Sequence, residues 1–271
     1  MGHEVSFRVL ESNADGWTSG DAGTGYPVVT GPDGAMRTVG YSNEYPGGYG
    51  ERMLLDAAVC LRLPEGADPI AAALTEPFTV GEVSVRRAQI EPGTVAVVLG
   101  CGPVGLGIVS ALHRHGVHPI IATEPTPLRR SKAETLGADT TLDPTEASWV
   151  DAYRATGSTQ SPVVFNTTGR KGMLNQLLYE SPWYTHIFEV SGLMEDDQIT
   201  PIVAVTKQLR VTFSSDGSLD ALAAVMEAIA GGRIDTDAVV TGRIGLEEVP
   251  DAFRALERPN DHVKILVQPS R

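Results

Sequence analysis

The chain opens on short alternating runs and changes character near Asp68. VSFRVLE alternates apolar and polar positions, GYPVVTGPDG carries turn residues, and YPGGYGERMLL leads from a glycine-rich turn into an extended run. Alternation with period two predicts strands, so the first 68 residues read as strand-and-turn structure. From Asp68, DPIAAALTEPFTVGEVSVRRAQI has helical spacing, with a break expected at Pro77, whose ring removes a backbone donor. Strands and helices then alternate. TVAVVLG, PIIATE, ADTTLD, PVVFNTT, THIFEVS and QLRVTFSS are short β-rich runs, while GLGIVSALHRHG and PLRRSKAETLG are helical patterns. That order predicts a doubly wound α/β domain, a parallel sheet covered by helices on both faces. The C-terminal part reads helix (SLDALAAVMEAIAGG), strand (AVVTGRI), helix (LEEVPDAFRALE) and strand (HVKILVQP).

Composition narrows the function classes. At roughly 150 residues per domain, 271 residues make one large domain or two ordinary ones. Twenty-one basic residues against 34 acidic ones give a net charge of −13, which opposes nucleic-acid phosphates and anionic membranes. Two cysteines exclude a disulfide framework and a four-cysteine zinc lobe. There is no membrane-spanning apolar run, and MGHEVSFRVL lacks the basic-then-apolar pattern of a signal peptide. A cytoplasmic protein acting on a small molecule is the expectation.

The strongest chemical signal is Gly100-Cys101-Gly102-Pro103-Val104-Gly105. GxGxxG alone is weak, but here it follows an apolar strand and opens a helix, the context a dinucleotide site needs. Gly100 permits the tight turn, Gly102 lets backbone N–H groups approach a pyrophosphate, and Gly105 allows close helix–strand packing. Glu124 ends the second strand, where a carboxylate accepts hydrogen bonds from a ribose diol and repels a 2′-phosphate. NAD is therefore expected over NADP. Arg129 and Arg130 lie a turn away and bear on that preference, or else sit as solvated helix-face residues. Cys101 reads as a small packed hydrophobe. Asn166-Thr167-Thr168-Gly169 and Val190-Ser191-Gly192 end later strands, and ligands bind beyond such carboxyl ends; Thr167, Thr168, Val190 and Ser191 are candidates for the nicotinamide side.

Gly2-His3-Glu4, Gly20-Asp21, Gly47-Gly48-Tyr49-Gly50-Glu51, Glu76-Pro77, GCGPVG and the tail GRIDTDAVVTGRIGLEEVPDAFRALE…HVKILV follow one another in a recognisable order. Together they resemble the medium-chain, zinc-type alcohol dehydrogenase family, close to its sorbitol and threonine dehydrogenase branches, over essentially the whole chain. The resemblance implies a discontinuous architecture. Residues 1–68 and 217–271 would form a truncated, β-rich GroES-like catalytic domain, and residues 69–216 a Rossmann domain. It maps a catalytic zinc environment onto His3, Glu4 and Glu76, where a metal polarises the alcohol or carbonyl oxygen and hydride passes to the nicotinamide. It also implies that Lys264 neutralises pyrophosphate charge.

One departure matters. The family's GHE motif lies deep in the chain, whereas here it begins at residue 2, so the segment with the zinc cysteine and the Ser/Thr-His proton relay is expected to be missing. Cys60 lies in an expected strand and Cys101 in the turn, so neither replaces that cysteine. The expectation is a truncated, zinc-independent enzyme, with no metal assigned.

Other residues read more plainly. Glu82 is either a new acid/base near the nicotinamide or a solvated helix carboxylate, with the second favoured. Tyr41, Ser42, Asn43 and Tyr45 line a substrate cleft or form a polar loop. His113, His115 and His118 cluster at a helix end as solvated or dipole partners, not as a metal site. The expected function is NAD-dependent oxidation or reduction of a small alcohol or carbonyl. The alternatives are a non-redox tailoring enzyme (elimination, cyclisation or isomerisation) and a catalytically silent NAD(H)-binding protein, since fold does not dictate function. A homodimer is expected by analogy, with AVVTGRI and QLRVTFSS offering edges.

Overall fold

The structure, a computed structural model, describes residues 1–41, 44–215, 217–257 and 260–269. The chain divides into two units, Met1–Thr79 with Gly217–Arg271, and Val80–Asp216. From the start it forms β1 (Ser6–Arg8), β2 (Ala22–Gly25), β3 (Val28–Thr30), β4 (Met36–Thr38) and β5 (Cys60–Arg62), then α1 (Pro69–Ala72) and α2 (Thr75–Ala88). Next come β6 (Ala96–Leu99), α3 (Pro103–Arg114), β7 (Ile120–Thr123), α4 (Pro127–Thr135), β8 (Thr140–Leu142) and α5 (Trp149–Ala155). They are followed by β9 (Val163–Asn166), α6 (Met173–Glu180), β10 (His186–Glu189), α7 (Pro201–Lys207) and β11 (Arg210–Phe213). The chain ends with α8 (Leu219–Ala230), β12 (Val240–Ile244), α9 (Val249–Leu256) and β13 (Lys264–Val267).

The unit Val80–Asp216 is a six-stranded sheet in the order β11-β10-β9-β6-β7-β8, and every pairing is parallel. All four residues of β6, β7 and β9 are buried, as in a sheet covered on both faces, which is why these runs are apolar apart from Thr123 and Asn166 at the ends of β7 and β9. Val97, Leu99, Val164 and Ile187 pack with Trp149, Leu177 and Leu178 in one cluster. Gly81 of α2 packs against the backbone of Gly107 in α3, where an added Cβ would come within 2.5 Å of the Gly107 carbonyl carbon.

Among the described residues the other unit carries three small sheets: antiparallel β1-β2-β5, the hairpin β3-β4, and parallel β12-β13. Met226 of α8 packs with Leu63 and Ala72, which gives this unit its own small core. Tyr26 adds a tie, accepting the Ser218 N–H at 3.0 Å on its phenol oxygen.

Two local expectations are corrected. The helical run breaks before Pro77, between α1 and α2, because Pro77 falls in the first turn of α2, where a missing N–H costs nothing. The ERMLL run after the glycine-rich turn forms no strand, and extended pairing resumes only at β5, after a short 3-10 turn over Ala57–Val59. Among the described residues no helix is long and apolar enough to cross a membrane.

Candidate functional site

At the carboxyl end of β6 the chain turns sharply into α3. Gly100 has φ +91°, which an L side chain rarely adopts. Gly105 is needed for a different reason: an added Cβ would run into the Gly100 carbonyl and sit 2.9 Å from Thr167 Oγ1. Gly102, the residue before α3, has φ −71° and open space around its Cα. Pro103 and Val104 begin the helix, and Pro103 spends no donor there. The turn therefore presents a bare backbone at a helix N-terminus, the arrangement that receives an anion.

The Glu124 carboxylate lies beside this turn at the end of β7, 4% exposed. It accepts the Cys101 N–H at 3.0 Å and the Thr126 N–H at 3.1 Å. Arg130, on α4, directs one terminal nitrogen to the backbone oxygens of Glu124 (2.6 Å) and Pro125 (2.8 Å) and to Asp143 Oδ2 (3.0 Å). Arg130 is thus fixed against the strand end and is not a solvated helix-face residue. Arg129, its neighbour, contributes positive charge felt at the Cys101 thiol, but burial first and Glu124 second push that thiol up to about 12. Cys101 is fully buried and packs as expected from sequence.

Because the sheet is parallel, the ends of β9 and β10 lie along the same edge. The Thr167 hydroxyl donates to the carbonyls of Leu99 (3.0 Å) and Gly100 (2.9 Å), tying the glycine turn to β9. Thr168 donates through N–H and hydroxyl to Asn166 Oδ1, and Asn166 in turn donates to Glu189 Oε2 at 2.7 Å. Val190 N–H reaches the Asn166 carbonyl at 3.0 Å, and Ser191 is held on Glu189 Oε1. Residues picked from separate strand ends thus form one connected edge.

In the other unit, ligand atoms of His3, Glu4 and Glu76 all lie within 4.8 Å of one another. The glycine pair of the GGYGE segment explains how. Gly48 N–H donates to the Gly2 carbonyl (2.9 Å) and Tyr49 N–H to the Met1 carbonyl (3.0 Å), while a Cβ on Gly47 would collide with that Gly2 carbonyl. His3 Nε2 is 4.0 Å from Glu76 Oε1, and its ring stands 5.0 Å from that of Tyr41. Glu76 is buried in the first turn of α2, where the helix N-terminus favours a carboxylate. Lys264 of β13 donates its ammonium to Glu4 Oε2, and burial lowers its pKa to about 8.

These residues do not fit the cysteine-bearing zinc centre implied by the resemblance. Among the described residues no cysteine joins the group. Cys60 instead donates its thiol to the Asp56 carbonyl at 3.3 Å, and burial, then the Asp56 charge, push it up to about 12. Lys264 already supplies positive charge at Glu4, and a second cation there would face its ammonium.

Glu82 departs from expectation. It is 1% exposed, and its carboxylate accepts from Arg86 (2.7 Å), Arg114 (2.7 Å) and His115 (2.8 Å). Burial alone would raise its pKa, but His115, Arg86 and Arg114 outweigh burial and lower it. Only the Arg86 partner, four residues on, is legible from helical spacing. His118 pairs with Asp139 at 2.8 Å and meets the His113 ring edge-on at 5.4 Å, while His115 serves Glu82. Tyr41 is described and exposed, whereas Ser42 and Asn43 lie outside the described residues.

The chain is similar to known proteins. A family model described as zinc-binding dehydrogenase matches residues 103–231. The chain is 32% identical over 283 aligned positions to (R,R)-butanediol dehydrogenase of Bacillus subtilis, covering 100% of this chain and 81% of that protein. It is 30% identical over 220 positions to sorbitol dehydrogenase of the same organism, covering 77% of this chain and 60% of the relative. The crystal structure of 2R,3R-butanediol dehydrogenase from Bacillus subtilis superposes with a TM-score of 0.83 at 30% identity, over 99% of this chain and 80% of that one.

Proposed function

The chain belongs to the medium-chain, zinc-type alcohol dehydrogenase family, and we propose that it is an NAD-dependent oxidoreductase of a small alcohol or polyol and the matching carbonyl, working without the usual cysteine-bound zinc. The observation that carries the cofactor reading is the buried Glu124 carboxylate beside the bare glycine turn. A carboxylate there accepts from a ribose diol and repels a 2′-phosphate. The names of the relatives, butanediol and sorbitol dehydrogenases, support small hydroxylated substrates.

The reaction balances as loss of hydride from the carbinol carbon to the nicotinamide and loss of the hydroxyl proton to a base. Within its own unit His3 is the candidate proton-carrying group, with Glu76 4.0 Å away to stabilise its imidazolium. The reading also takes the protein to be cytoplasmic and homodimeric. In support of the dimer, β11 is an edge strand paired on one side only, and its terminal Phe213 is 69% exposed. A purely monomeric species at micromolar concentration would count against the dimer.

The deciding experiment titrates the purified chain with NADH and NADPH by nicotinamide fluorescence, then screens small diols and their ketones at the nicotinamide absorbance band. Tight NADH binding, weaker NADPH binding and loss of that preference in Glu124→Gln are expected. Equal affinity for both nucleotides in the wild type would overturn the cofactor assignment, and turnover without net nicotinamide change would overturn the redox assignment.

A further inference from the structure

Arg130 and Asp143 form a cation–anion pair at the very strand end that carries Glu124. Asp143 follows β8, whose register against β7 is set by Thr123↔Leu142 and by the Glu124 N–H donating to the Leu142 carbonyl at 3.0 Å. Asp143 is itself fixed: its Oδ1 accepts the Thr145 N–H (2.9 Å) and hydroxyl (2.6 Å), leaving Oδ2 for Arg130. The guanidinium nitrogen that meets Asp143 also meets the Glu124 and Pro125 carbonyls. A guanidinium is the side chain best suited to a phosphate, through planar, charge-assisted hydrogen bonds. This one stands within a hydrogen bond of the residue whose carboxylate would face the adenosine ribose, yet Asp143 neutralises it and turns it onto the backbone.

We propose that Asp143 is a specificity-determining positioning residue, which holds Arg130 on the Glu124–Pro125 backbone and so keeps it from serving a 2′-phosphate. The pair has two effects in the same direction. It braces the strand end that aims the Glu124 carboxylate, and it cancels a positive charge that would attract a phosphorylated nucleotide. A diol-bearing dinucleotide is accepted and its 2′-phosphorylated counterpart refused, although two arginines follow the acidic residue in sequence. The inference rests on the nucleotide-binding reading above and adds to it a residue that never touches the ligand.

The test compares dissociation constants for NADH and NADPH in the wild type, Asp143→Asn, Arg130→Ala and the double variant. Asn keeps the size and an acceptor for Thr145 but removes the charge. Asp143→Asn is expected to tighten NADPH by about tenfold, the scale of one charge-assisted phosphate contact, while NADH changes little. The double variant is expected to lose that gain, which a general loosening of the fold would not do. An unchanged NADH-to-NADPH ratio in Asp143→Asn, or a gain that survives removal of Arg130, overturns the inference alone. A wild type that binds neither nucleotide overturns the underlying reading, and the inference with it.

Discussion

Cys101 donates its backbone N–H to the Glu124 carboxylate across 3.0 Å, which joins the glycine turn after β6 to the end of β7. The glycine turn and the carboxylate proposed to meet the nucleotide are thus one hydrogen-bonded unit. Such preorganisation reduces the ordering cost of binding.

The three glycines of the turn differ in what they do, and two substitutions separate them. Gly105→Ala drives a methyl group into the Gly100 carbonyl, so both the thermal midpoint and NADH affinity are expected to fall, with a stability loss of about 2 kcal/mol. Gly102→Ala meets open space at an ordinary φ. It should melt like the wild type and lose NADH affinity roughly tenfold, because the methyl group occupies the approach of the pyrophosphate. Differential scanning calorimetry alongside a fluorescence titration reads both. An unimpaired affinity in Gly102→Ala would argue against a pyrophosphate at this turn.

Glu82 holds together Arg86, Arg114 and His115 from two helices. Glu82→Gln leaves those cations without their counter-charge and is expected to cost about 2 kcal/mol, less than a fully buried pair because Arg86 is partly exposed. Its pKa is lowered from 4.5, so its contribution is complete above that value and lost as pH falls through the lowered pKa. Urea denaturation at neutral and acid pH should show a gap between wild type and variant that narrows in acid.

His186 makes the opposite case. Its Nε2 meets Thr212 Oγ1 at 2.9 Å, its Nδ1 is buried with no hydrogen-bond partner, and burial followed by the Arg210 charge holds its pKa down to about 4 from 6.5. Between those values the unfolded chain takes up a proton that the folded one refuses, so stability falls as pH drops from 6.5 towards 4. His186→Gln should flatten that part of the profile, measured as the denaturation midpoint at about pH 7 and about pH 5. A profile as steep in the variant as in the wild type would assign the acid sensitivity to other groups.

The donor set in the first unit predicts its metal content. With Glu4 engaged by Lys264 and no thiolate in the group, the chain purified without chelator should carry well under one equivalent of zinc. Lys264→Met removes the competing ammonium and is expected to increase the uptake of cobalt(II), read from its visible d–d absorption. Stoichiometric zinc in the wild type that survives dialysis would refute the zinc-independent reading.

Much of the molecule was legible in the chain alone, because the information is local. Apolar runs of three or four residues with no alternation mark strands covered on both faces, and β6, β7 and β9 are buried at every position. Gly100 and Gly105 announce a turn whose geometry admits only glycine, and the distance to Glu124 is fixed by one helix and one strand. The sequence by itself therefore determined the sheet, the glycine turn at its edge and the carboxylate that lies beside that turn. Tertiary structure decided which charges meet. Glu4 and Lys264 are 260 residues apart, Glu82 and Arg114 are 32 apart on different helices, and Arg130 finds Asp143 only through the register of β7 and β8. No periodicity encodes those pairings, since a side-chain charge acts through space at a few ångströms and only the packed fold sets that distance.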